Sequence, residues 1–165
     1  MDTKMKAQTS IVCSVLLTAA LAFGDSVEES GQGCRHVEGA ISAQILPDGF
    51  FAGTALGTVT GGLRGATTAQ FTAEPQPDGS IELALHHAFV NEAGDSLQTE
   101  DTGLLVPVPN SAGVFRMTVH YTITGGTGMF EGSTGTLDNH GEAILAGSLN
   151  GQLTLRYSGR ICAHR

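Results

Sequence analysis

From residue 35 onward, apolar and polar side chains alternate with a period of two, interrupted at short intervals by glycine, proline, asparagine and aspartate. Such alternation marks half-buried β-strands joined by turns. It predicts eight strands: Arg35–Leu46, Phe50–Thr60, Leu63–Ala73, Ser80–Val90, Leu97–Val106, Val114–Thr124, Ser133–Ala146 and Leu149–Cys162. Pro47-Asp48-Gly49 and Gly61-Gly62 read as tight hairpin turns. Pro75–Gly79 and Asn91–Ser96 read as longer loops. Pro107–Gly113 cannot extend a central strand, because proline has no N–H to give to the ladder.

The alternation also sorts side chains into two faces. Phe115, Met117, Val119, Tyr121 and Ile123 share one face of their strand, and Arg116, Thr118, His120, Thr122 and Thr124 the other. The apolar face must be buried, so it points inward. The same test places Ile81, Leu83, Leu85, His87 and Phe89 inside, with Leu97, Thr99, Asp101, Gly103 and Leu105. It adds Leu149, Leu153, Leu155, Tyr157 and Ile161, and from the early strands Val37, Ile41, Ile45, Val59 and Phe71. Gly39, Ala43, Gly53, Ala55, Gly57, Gly65 and Ala69 make much of this inner face small. A barrel of this strand number is just filled or holds one small ligand, and so many small residues predict space left over.

An antiparallel set of this size forms a sandwich or closes into an up-and-down barrel. Two cysteines favour closure. Cys34 stands before the first strand and Cys162 ends the last. With an even strand number those points meet at one end of a closed barrel, where a disulfide would staple the seam. The predicted fold is therefore all-β, an eight-stranded antiparallel up-and-down β-barrel over residues 34–165.

The beginning of the chain reads differently. Lys4 and Lys6 precede an apolar run from Ile11 to Phe23, and Ala22-Phe23-Gly24 offers small residues for cleavage before Asp25. This is the pattern of a secretory signal peptide, too short for a bilayer span. Residues 25–33 are polar and acidic and predict a flexible lead. After cleavage the chain would hold six arginines, no lysine and 15 acidic residues, a net charge of −9. That balance disfavours nucleic acid and, after signal cleavage, membrane as partners. Export in turn favours pairing of Cys34 with Cys162.

Four polar side chains fall on the inner face: His87, Asp101, Tyr121 and Tyr157. The loop Asn91–Ser96 allows registers in which His87 and Asp101 lie opposite or one pair diagonal. A His–Asp pair in an apolar interior is a candidate acid–base couple, and either tyrosine could polarise a carbonyl or epoxide oxygen. The alternative is a satisfied buried polar cluster. Leu85, Phe89, Thr99, Phe115, Met117 and Leu155 are the candidate ligand-binding residues around it. No metal site is expected: His86 and His87 face opposite ways, His36, His140 and His164 lie near ends or turns, and no CxxC or HExxH spacing occurs. Asp101-Thr102-Gly103 matches an aspartic-protease signature by letter, yet lacks the hydrophobic lead-in.

The stretch Tyr121-Thr-Ile-Thr-Gly-Gly-Thr-Gly-Met-Phe-Glu-Gly-Ser-Thr-Gly135 runs a strand into a glycine corner. It resembles the Ile-Thr-Gly-Gly-Ser-Gly-(x)-Phe-Glu-Gly segment of allene oxide cyclases and, more loosely, the Gly-Gly-Thr-Gly-x-Phe turn of dirigent proteins. The resemblance implies an eight-stranded barrel, a trimeric homo-oligomer and no cofactor. It also implies control over the cyclisation or coupling of a reactive, largely apolar molecule. Glu38 falls on the predicted outer face, so allene oxide cyclisation itself is not implied. The carried-over residues, Gly125, Gly126, Gly128 and Phe130, have an architectural role.

The resulting expectation is a cofactor-free cyclase or stereocontrol protein, secreted or periplasmic, with a small apolar molecule in the barrel. The alternatives are a non-catalytic secreted barrel that binds a small hydrophobic ligand, and a structural extracellular module.

Overall fold

The computed structural model describes residues 33–147 and 149–163. The predicted signal peptide, the predicted lead up to residue 32, and His164 lie outside the described residues. Eight strands form: β1 (Gly33–Pro47), β2 (Ala52–Val59), β3 (Gly65–Pro75), β4 (Ile81–Asn91), β5 (Ser96–Pro107), β6 (Val114–Gly126), β7 (Thr134–Ala146) and β8 (Asn150–Ala163). Each pairs antiparallel with its neighbours in sequence, and β1 closes on β8 to complete a barrel. The predicted fold class is the observed one.

The period of two is what selects this solution. Val37, Ile41, Ile45, Leu83, Leu85, Met117, Val119, Leu153 and Leu155 are all buried, while residues between them face solvent. Every residue assigned inward from alternation points inward. Slipping one strand by one residue would expose its whole apolar set, so the register is strongly held.

The closing seam is as long as the longest ladder between consecutive strands, β7 with β8. It runs from Gly33 opposite Ala163 to Ile45 opposite Gly151, with Cys34 directly across from Cys162. Those cysteines form a disulfide spanning 128 residues of sequence. Gly33, read as the last residue of the lead, is already in β1.

The two ends of the barrel differ. At the end with the disulfide, two 3₁₀ turns fold inward. Gly61–Leu63 joins β2 to β3, and Gly128–Phe130 joins β6 to β7. Leu63 and Phe130 are buried there and plug the barrel. The sequence reading gave Gly61-Gly62 a two-residue hairpin and put Leu63 in a strand. The structure makes a 3₁₀ turn instead, because burying Leu63 outweighs extending the ladder. The glycine corner serves the second plug. Gly128 has φ +58°, and a Cβ on Gly126 would collide with the Ser96 carbonyl and the Phe130 side chain. Beside it, Leu97 pairs with Gly126 and Gln98 with Gly125, but Thr99 pairs with Ile123, leaving Thr124 as the extra residue of a β-bulge.

The opposite end is open. Its loops are residues 48–51, 76–80 and 108–113, and Gly147 and Leu149 lie there between β7 and β8. Phe50 and Phe51, predicted to start the second strand, sit outside it and are 79% and 56% exposed. Two large aromatics therefore stand on the rim of the mouth.

Candidate functional site

The inner faces of β4, β5 and β6 bring three predicted residues together. His87 pairs across strands with Thr99, and Leu85 with Asp101, so His87 and Asp101 are one pair diagonal. His87 Nδ1 lies 2.6 Å from Asp101 Oδ2. The side chains are 9% and 0% exposed. Asp101 is directly opposite Tyr121 on β6. The imidazole meets the Tyr121 ring edge-on, with centroids 4.9 Å apart. On its other side it stacks on Phe89 at 5.6 Å and an 8° interplanar angle. The ring is thus held by a carboxylate at one nitrogen and two aromatics around it.

An ionised carboxylate only accepts hydrogen bonds, so with Asp101 ionised Nδ1 carries the proton. In the neutral imidazole, Nε2 then keeps the lone pair. Nε2 has no hydrogen-bond partner among the described residues, and the ring lines the interior cavity.

Tyr121 is fully buried, and its hydroxyl accepts a 2.6 Å hydrogen bond from Asn139 Nδ2. Its own proton has no acceptor among the described residues. Burial pushes the Tyr121 phenol well above its ordinary range; the Asn139 hydrogen bond opposes this and the Asp101 charge adds to it. Several buried polar atoms nearby also lack a partner: Asp101 Oδ1, Asn139 Oδ1, Thr99 Oγ1 and Thr67 Oγ1. Such orphans are rare in folded proteins and call for an explanation.

Tyr157 does not join this group. Its hydroxyl donates to the Thr60 carbonyl at 2.7 Å and accepts from the Leu63 N–H at 2.9 Å. Its ring covers Gly39, its cross-strand partner. These contacts fasten the first 3₁₀ turn, so the hydroxyl is occupied at the plugged end. Burial raises the Tyr157 pKa as well.

A cavity of ≈ 40 Å³ runs along the barrel from His87, Tyr121 and Thr67 to Leu145 and Leu149. It is room for about three waters. Pockets for drug-sized ligands are typically ~300–1,000 Å³, so this one is narrow. Ala43, Ala55 and Ala69 give part of the lining little bulk, while Phe71, Leu83, Met117 and Leu153 fill space beside and around them. Leu85, Met117 and Leu155 line the cavity. Phe89 supports His87 from outside the lining, Thr99 is buried beyond it, and Phe115 stands at the mouth. There a wider open hollow of ≈ 610 Å³, walled by Phe50, Phe51, Ile81 and Phe115, shares Leu145 and Leu149 with the cavity. The interior is therefore a slender apolar channel with a broad mouth and a polar deep end.

Asn139 and Thr67 were missed in the sequence. Asn139 sits on β7, where the inner series Leu137, Asn139, Gly141, Ala143 and Leu145 follows the same period of two. Continuing the alternation through that strand would have found it. Among the described residues, no group of three or more His, Cys, Asp or Glu side chains is arranged to hold a metal ion.

Two predictions follow from this geometry. Ala69 is the cross-strand partner of His87 and lines the cavity. Ala69→Val should change stability by no more than about 1 kcal/mol, since part of the added volume enters open space. It should nevertheless weaken ligand binding at least about tenfold, read by titration calorimetry.

The second concerns pH. The chain has two tyrosines and no tryptophan, so tyrosinate absorbance is a clean signal. Both phenols have pKa values raised from 10.0 by burial. The folded chain then keeps protons that the unfolded chain releases. This contribution to stability is complete below about pH 10 and is lost as pH rises beyond it. Tyrosinate absorbance should therefore appear together with loss of the β circular-dichroism signal. A tyrosine titrating near pH 10 in the folded barrel would contradict this.

Fold and site together define a small closed β-barrel with a buried His–Asp pair at the deep end of an apolar channel. No protein-family model matches the sequence, and no curated protein matches it. Among solved structures, the pterocarpan synthase dirigent protein PsPTS1 is similar at 15% identity and a TM-score of 0.48, covering 82% of this chain and 98% of that one. The pterocarpan synthase dirigent protein GePTS1 is similar at 16% identity and a TM-score of 0.47, covering 80% and 86%. Likenesses this distant bring no function with them.

Proposed function

We propose that the protein is a cofactor-free cyclase or isomerase that holds a slender, largely apolar molecule in its barrel and controls the stereochemistry of its reaction. The observation that carries this reading is the His87–Asp101 pair at the deep end of the channel. His87 Nε2 would take a proton from the substrate, and Asp101 would stabilise the imidazolium that forms. Tyr121 O–H would donate to the substrate oxygen on which charge develops. The proton then returns from Nε2 to a second substrate atom, so the reaction is neutral in electrons and in protons. The narrow channel would restrict the substrate to few conformers and present one face of its reacting end to His87 and Tyr121.

Met117 gives the channel some give, because an unbranched thioether side chain repacks readily. Tyr157, read from the sequence as a catalytic candidate, has no part in this step. The disulfide supports work in an oxidising compartment, which agrees with an exported protein.

The test is deletion of the gene in the producing organism, with extracts compared by chiral liquid chromatography–mass spectrometry against a complemented strain. A product lost, shifted or racemised on deletion is the expected result. An unchanged profile would overturn the enzymatic reading and leave a carrier or a structural module.

A further inference from the structure

The deep end of the channel holds several unpartnered acceptors beside one free donor, the Tyr121 O–H, and carries the only carboxyl group on the inner face of the described strands. Asp101 has no exposed side-chain surface, and its Oδ1 has no hydrogen-bond partner. Asn139 Oδ1 is likewise unpartnered. His87 Nε2, with a lone pair in the neutral ring, is the acceptor that borders the cavity itself. No arginine is buried among the described residues, so His87 is the one group here that could carry a positive charge.

From this asymmetry, and resting on the reading of the channel as a ligand site, we propose that Asp101 makes the barrel charge-selective. The ligand is a slender apolar chain whose head donates a hydrogen bond to His87 Nε2. Carboxylate heads are rejected. Two effects work together. A head with an O–H or N–H satisfies a lone pair that an acceptor-only head would leave unmet, and unmet buried polar groups are costly. An anionic head would be placed in a poorly solvated site beside a like charge, where repulsion is only weakly screened. The rest of the molecule lies along Ile41, Ala55, Ala69 and Leu155 toward the aromatic rim.

The experiment titrates the whole mature protein at pH 8 with three medium-chain probes, each below its micelle concentration. These are a primary alcohol, its methyl ether and the matching carboxylate. The alcohol should bind, the ether about tenfold more weakly, and the carboxylate at least about a hundredfold more weakly than the alcohol, as a missing hydrogen bond and a like-charge contact at low effective permittivity imply. Asp101→Asn should restore carboxylate binding to within about tenfold of the alcohol, because it removes the charge and keeps the shape. His87→Phe should abolish the difference between alcohol and ether without loss of the ether. The gain of carboxylate binding in Asp101→Asn cannot come from misfolding, which keeps the test decisive.

A carboxylate bound as tightly as the alcohol by the wild type would overturn charge selection. So would an unchanged ranking in Asp101→Asn. Neither result touches turnover, which the deletion strain reports separately. If none of the probes binds while the deletion strain loses its product, charge selection of chain-like ligands is overturned and the catalytic reading stands.

Discussion

Under the proposed function, Asp101→Asn should lower turnover by about two to four orders of magnitude, the range that general acid–base catalysis contributes. The barrel stays folded. The amide oxygen can still accept from His87 Nδ1, so the ring keeps its place between Phe89 and Tyr121. What it loses is the negative charge that stabilises the imidazolium. An amide can also present its NH₂ group to Nδ1, which would move the ring proton to Nε2 and remove the base. Once the substrate is known from the deletion strain, kcat and the melting temperature of purified wild-type and variant protein check this. A melting temperature that drops with kcat unchanged would make the pair a structural one.

Reduction of the Cys34–Cys162 disulfide, or its replacement by two serines, should destabilise the barrel by about 5 kcal/mol. The figure follows from the entropy of closing so long a loop in the unfolded chain. For a domain of this size it corresponds to a fall in melting temperature on the order of 10–20 °C. The placement matters as much as the length. The bridge joins the first and last strands at the one seam whose partners are distant in sequence. Every other ladder joins strands that follow one another and is closed by a local turn. Thermal unfolding with and without reductant reads the effect. Equal melting temperatures would show that the seam holds through its ladder and core alone.

Much of this architecture was legible in the sequence because one physical rule runs along nearly all of it. Alternation fixed which side chains face inward from β1 to β8, and even strand number with the two cysteines chose closure. The length of one loop left His87 and Asp101 either directly opposite or one pair diagonal, and the structure makes them diagonal. What stayed hidden depended on contacts between distant segments. Leu63 is buried in the barrel with its N–H accepted by Tyr157, 94 residues away, a contact that local pattern does not reveal. Phe50 and Phe51 continue an apolar pattern by letter, but the ladder ends before them. The width of the channel depends on how Phe71, Leu83, Met117 and Leu153 meet across the interior, which alternation along single strands cannot give. The partner of Tyr121 was missed because glycines and polar residues blur the inner face of β7.

The central claim is that the buried His87–Asp101 pair acts on a molecule held in the channel. The most direct test complements the deletion strain with wild-type protein and, in parallel, with Asp101→Asn secreted to the same level, followed by chiral product analysis. The account predicts that the wild type restores one stereoisomer and that Asp101→Asn, folded and present, does not. Full restoration of the product by Asp101→Asn would contradict it.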